Sequence, residues 1–383
     1  MTTNKTFKKE TFIKKVKEIC SRWFITAFSG MAQGLFCTLI AGTILATFAE
    51  HVLKLNNYLG STLYYVASMA KTLMGAGIGV GIAYKLKAKP LVVFTAGVAG
   101  FVGAFADKLL CDTFLAELFK VYEPFTDVSF GVPGNPIGAY VVSILVIELA
   151  ELYAGKTKLD IILIPLGGLL ISFIGIFVAS PFIYLVNGLG ILIAKATKIM
   201  PFFMGIIVAV VMGILLTMPT SSAAIWISVA KSVIEAGGNN AEYMYIAGGA
   251  AVVGCSCHMV GFAVASFREN GVGGLISQGL GTSMLQIPNI MKKPIIMLPM
   301  IISSAILGPL STCVFALRCG YNGGGMGTSG FVGLIDLFTN NTGTLAIVGI
   351  ILLNVVLPVV LNLLISEFMR KKGLIKDGDM KLD

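Results

Sequence analysis

Long apolar runs alternate with short charged breaks along most of the chain, and the positive charges recur at every second break. A membrane helix needs about 20 mostly apolar residues. By run length the pattern predicts ten spans, near 22–49, 60–84, 90–106, 134–155, 159–187, 201–218, 219–237, 241–266, 294–317 and 343–367. Lys and Arg favour the cytoplasmic side. With the N-terminus inside, Lys85, Lys87 and Lys89 fall inside after the second span, and Lys156 and Lys158 after the fourth. Arg268 follows the eighth span, and Arg370, Lys371 and Lys372 follow the tenth, so both termini are expected in the cytoplasm. The stretch 107–133 carries Asp107, Asp112, Glu117, Glu123 and Asp127 and falls outside. The span 219–237 is short and contains Lys231 and Glu235.

Two stretches break the pattern. Arg268 to Lys293 reads RENGVGGLISQGLGTSMLQIPNIMKK, with five glycines, a proline and seven uncharged polar side chains between its charged ends. Basic residues at both ends predict a path that enters from the cytoplasm, turns within the membrane and returns. Irregular backbone survives at that depth only when buried in protein or lining a water-filled cavity. The second stretch, Cys319 to Phe338, reads CGYNGGGMGTSGFVGLIDLF, and its Gly325-Met326-Gly327-Thr328-Ser329 repeats the earlier Gly279-Leu280-Gly281-Thr282-Ser283 in four of five letters. Broken apolar segments in corresponding positions point to a transporter's binding site. Both stretches, near 268–290 and 319–338, are read as re-entrant hairpins.

Composition narrows the class. The 383 residues are 56% hydrophobic and 12% charged, with mean hydropathy +0.89, which excludes an ordinary soluble domain and a disordered chain. A net charge of +9 would suggest nucleic acid on a soluble protein, but here the basic residues flank apolar spans and topology accounts for them. The expected organisation is a basic interfacial helix over 1–21, a scaffold and dimerisation part over 22–187 and an amphipathic linker over 188–200. A transport part over 201–368 with both hairpins and a charged tail over 369–383 complete it.

The candidate site is furnished by uncharged donors and acceptors: His258, Asn270, Gln278, Thr282, Ser283 and Gln286, with Asn322, Thr328 and Ser329 from the second hairpin. Such a set suits a neutral polyhydroxylated solute, whose hydroxyls need many hydrogen bonds and no counter-charge. His258 lies deep in an apolar run, where an ionisable group is costly and faces a bundle interior or a cavity. Contact with a substrate hydroxyl is one reading and a helix-to-helix hydrogen bond the other. Glu148 shares a face with Glu151 and is the deeper of the two, a candidate proton or sugar carboxylate, whereas Glu151 beside Lys156 reads as a solvated interfacial pair. Lys71 snorkels or pairs with such a carboxylate. The Pro219-Thr220-Ser221-Ser222 break reads as a tight turn.

No metal or other cofactor is expected. The seven cysteines lack metal or disulfide spacing, and Cys255 and Cys257, two apart on a helix, point away from each other. Phosphate-loop, nucleophile-elbow and zinc-protease signatures are absent, so soluble enzymology finds no support.

The run HMVGFAVASFRENGVGGLISQGLGTSMLQIPNI and the later NGGGMGTSGFVG, set among about ten spans, resemble the membrane IIC components of bacterial sugar phosphotransferase systems. The resemblance is closest to the branch that includes the proposed regulator of the toxin perfringolysin O. It implies a homodimeric, multi-pass permease of the bacterial cytoplasmic membrane, moving a sugar by alternating access and not itself an enzyme. In glucose-type relatives a histidine and a hairpin glutamate meet the sugar. His258 could fill the first role, whereas NGGGMGTSGF has no glutamate. The sequence carries no fused IIB domain, so any phosphorylation needs separate IIA and IIB partners. The alternative is a membrane sensor that binds a solute without moving it. A nucleobase or ion-coupled carrier would need a charged group at the site, for which Glu148 is the candidate.

Overall fold

The computed structural model describes residues 18–19, 21–109, 134–218 and 222–382. Most of the expected N-terminal helix, the acidic stretch beyond Leu109 and the Pro219–Ser221 break lie outside the described residues. The described residues form helices and no strand. Six helices are long and apolar enough to cross a membrane, or seven if one bent pair counts as a single span. Two compact units result, Met1–Tyr184 and Leu185–Asp383.

The first unit contains α1 (Arg22–Ala46), α2 (Tyr58–Thr72), α3 (Met74–Lys85), α4 (Pro90–Ala104) and α5 (Pro136–Tyr153). The expected second span is the α2–α3 pair, bent by 54°. Its helices pack through glycine. A Cβ on Gly34 of α1 would strike the backbone of Gly77 in α3, and one on Gly103 of α4 would strike Gly138 in α5. Small residues let helix backbones approach where lipid supplies no hydrophobic drive between them.

Helix α6 runs unbroken from Asp160 to Ile199 and includes the region expected as a separate linker. Nothing between Gly188 and Ile199 interrupts helical geometry. Pro201 does, since the residue before a proline is forced out of the helical region, and Met200 sits at φ −136°, ψ 66°.

In the second unit, α7 (Pro201–Thr217), α8 (Ser222–Glu235) and α9 (Gly238–Ala265) precede the first glycine-rich stretch. Then come α10 (Phe267–Ile276), α11 (Ile287–Lys292) and α12 (Pro294–Val314). After the second stretch follow α13 (Val332–Asn340) and α14 (Thr344–Lys371). Helix α9 is the pillar of this unit, buried over most of its length and packed on α7, α12 and α14. Polar bonds fasten it to α14: Ser256 donates to Asn354 Oδ1 at 2.9 Å, and Asn362 Nδ2 donates to the Cys257 carbonyl at 3.2 Å. Inside an apolar bundle such pairs fix which helix faces which.

Candidate functional site

The first glycine-rich stretch is helical only in pieces. Gly271 interrupts α10 at φ 57°, which a side chain would oppose. A π turn covers Ser277–Gly281, and extended Thr282 starts a 3-10 turn over Ser283–Gln286. The second stretch is irregular from Ala316 to Thr328, where Gly327 takes φ 55° and its bare α-carbon lies against the backbone of Cys255 and Ser256 in α9.

The two repeated pentapeptides touch. Thr328 donates to the Gly279 carbonyl at 2.6 Å, and Ser329 donates to the Gly281 carbonyl at 2.9 Å. The hydroxyls of one stretch thus satisfy carbonyls that the other's broken helix leaves open.

Below this contact lies His258, fully buried in α9. Its Nδ1 is 2.9 Å from Thr217 Oγ1, and Thr217 Oγ1 is in turn 3.0 Å from Ser283 Oγ. The chain His258–Thr217–Ser283 therefore joins α9, the end of α7 and the first glycine-rich stretch. Nε2 of His258 has no partner. It faces Gly213, where an added Cβ would stand 2.8 Å from it. If Nδ1–H donates to Thr217, Nε2 is a bare acceptor; if Thr217 donates to Nδ1, Nε2–H is a free donor. A hydroxyl, which both donates and accepts, answers either state.

The other predicted residues divide into groups. Asn322 Oδ1 is a second buried polar atom without a partner. Gln278, Gln286 and Asn270 are already engaged: Gln286 Nε2 donates to Gln278 Oε1 at 2.8 Å and to the Met380 carbonyl at 2.9 Å, and Asn270 Nδ2 donates to the same carbonyl at 2.8 Å. Thr282 caps the turn that follows it through a bond from the Met284 N–H. Glu148 belongs to the first unit and accepts from Arg22 Nε at 2.8 Å and Trp23 Nε1 at 3.0 Å. Glu151 accepts from the Lys89 N–H at 2.8 Å, not from Lys156. Lys71 lies over the ring of Tyr64.

Three features that hold this site together were not expected. Thr217 was hidden at the end of an apolar span, with only the Met-Pro break after it as a signal. Asp336 is the lone acid in the run VGLIDLF, a signal that could have been read. It organises the second stretch by accepting from the Gly323 N–H at 2.7 Å, Asn340 Nδ2 at 2.5 Å and the Cys319 thiol at 3.3 Å. The third is the segment after Gly373, which supplies the Met380 carbonyl that holds both Asn270 and Gln286.

A family model described as phosphotransferase system, EIIC matches residues 25–382, nearly the whole chain. The chain belongs to the EIIC family. No curated protein and no solved structure matches it significantly. As an EIIC chain with several membrane-length helices it is a multi-pass membrane component of a phosphotransferase-type transport system. Within that family setting, this EIIC chain's buried histidine and its two joined glycine-rich stretches lie in one compact unit.

Proposed function

We propose that this EIIC protein carries a neutral, polyhydroxylated solute of the sugar class across the cytoplasmic membrane by alternating access. In this reading the stretches 268–290 and 319–338 are re-entrant hairpins, both termini are cytoplasmic, and the protein works as a homodimer. His258 is the central solute contact, Ser283, Thr282 and Asn322 are further solute contacts, and Thr217 holds the imidazole in place. Gln278, Gln286, Asn270, Thr328 and Ser329 shape the hairpins around that centre. Separate IIA and IIB proteins supply any phosphorylation.

The observation that carries the reading is the buried, unpartnered Nε2 of His258. A polar atom left unpaired in an apolar interior costs about 1–3 kcal/mol, and a solute hydroxyl would repay that cost. The neutral donors around it favour an uncharged cargo.

Reconstituted vesicles test this. Saturable uptake of a neutral sugar or polyol, lost in His258→Ala, is the expected result. Binding without flux would instead establish the sensor reading, and flux unaffected by His258→Ala would remove the site.

A further inference from the structure

Residues 374–382 lie across the first glycine-rich stretch and are held there mainly by their backbone. The Gly378 and Met380 N–H groups donate to Glu269 at 3.2 and 2.8 Å. Leu382 N–H donates to Asn270 Oδ1 at 2.8 Å, while Asn270 Nδ2 returns a bond to the Met380 carbonyl. Asn289 Nδ2 donates to the Lys381 carbonyl at 2.8 Å. Four side chains add to this: Met380 and Ile375, both buried among Phe262, Ile290 and Met300, Asp379, 2.6 Å from Lys293 Nζ, and Asp377, which accepts from Arg370 at 2.8 Å. Gly373 and Gly378, at φ 73° and 94° with open space around each α-carbon, let the chain turn onto this face.

The same 3-10 turn serves both this segment and the histidine. Ser283, at its start, meets the Thr217–His258 pair; Gln286, at its end, holds Met380. In a 3-10 turn positions three apart are stacked on one side, so a shift at one end moves the other.

We propose that residues 374–382 are a detachable strap: docked, they occupy the amide face of the first glycine-rich stretch and close the His258 site; released, they free Asn270, Gln286 and Asn289 and let the Ser283–Gln286 turn move. The strap rests on the proposed function only for its consequence, closure of a solute site. Its geometry and its test do not need a solute.

Hydrogen exchange on the intact protein reads the opening. The amides of Gly378, Met380 and Leu382 should exchange in one sub-global event with those of 277–286, about tenfold or more faster than the middle of α9. A second arm uses diethyl pyrocarbonate on a chain stopped after Gly373 and on Met380→Gln. His258 should be modified about tenfold or more faster than in the intact chain, since a site open in every molecule replaces one open in a minor population. Strap amides that exchange only together with α9, or that exchange while 277–286 stays protected, overturn the proposal. So does a His258 rate within about twofold of the intact chain in Met380→Gln, which decides the case should the shortened chain fail to fold.

Discussion

Thr217 Oγ1 lies 2.9 Å from Nδ1 of His258, and this contact fixes the imidazole so that its other nitrogen points at the bare α-carbon of Gly213. The hydroxyl also reaches Ser283 at 3.0 Å. One side chain at the end of α7 therefore sets both the ring that would meet a solute and the turn that would close over it.

Thr217→Val keeps the shape and removes the oxygen. It strands His258 Nδ1 and Ser283 Oγ, and an unsatisfied buried group costs about 1–3 kcal/mol. Thermal unfolding in detergent should show the loss, and Thr217→Ser should recover most of it. Equal stability of Thr217→Val and the parent would mean that the hydroxyl does not hold the ring.

Gly213→Ala places a methyl 2.8 Å from His258 Nε2 and against the Gly254 carbonyl. Overpacking of this kind costs about 1–3 kcal/mol, and here it also displaces the nitrogen proposed to meet the solute. The variant should fold with a lowered melting temperature and bind no solute that the parent binds. Unchanged affinity would place the solute elsewhere.

How much of this was legible in the sequence follows from what each pattern encodes. Run length located the helices, because crossing a bilayer is a requirement of length and polarity that a single sequence displays. The glycine-rich stretches stood out for the same reason, and their contact through Thr328 and Ser329 matches the echoed pentapeptides that drew attention to them. Partners were not legible. Gln286 and Asn270 read as free donors for a solute, yet the Met380 carbonyl, 94 and 110 residues downstream, holds them both. Glu148 read as a deep carboxylate, but Arg22, some 126 positions away, claims it. Asp336 was overlooked because its neighbours are apolar, which is the circumstance that makes a buried acid informative.

Asp336→Asn turns one acceptor oxygen into a donor that faces the Gly323 N–H or the Asn340 amide. Donor against donor in a buried place costs about 1–3 kcal/mol. Exchange of amides in 319–329 should rise while the middle of α9 stays protected. Uniform protection in the variant would show that the carboxylate does not organise this loop.

Acid should loosen residues 374–382. Burial works against charge on Asp379, but the Lys293 ammonium and the Lys376 N–H outweigh it and hold the carboxyl below the usual carboxylate range. A depressed carboxylate contributes stability above its unfolded value, about 3.9, and loses it as pH falls through the folded value. Glu269, Arg370 and Asp377 face the same segment, with Arg370 and Glu269 paired at 3.0 Å and only 8% and 6% exposed. After correction for intrinsic rates, protection of the Lys376 amide should fall on acidification, and Asp379→Asn should show the weaker protection at neutral pH. A parent and an Asp379→Asn variant with identical profiles would contradict the pairing.

If His258 receives a neutral hydroxylated solute, that solute will stabilise the folded protein against heat. A ligand that binds only the folded protein raises its stability by about 2.7 kcal/mol at a hundred times its dissociation constant. Purified protein is heated against a panel of neutral sugars and polyols, beside His258→Ala. The expected result is that at least one of these solutes raises the parent's melting temperature and leaves folded His258→Ala unmoved. A panel in which no neutral solute stabilises the parent, or in which the stabilising solute protects His258→Ala equally, would show that His258 does not receive such a solute.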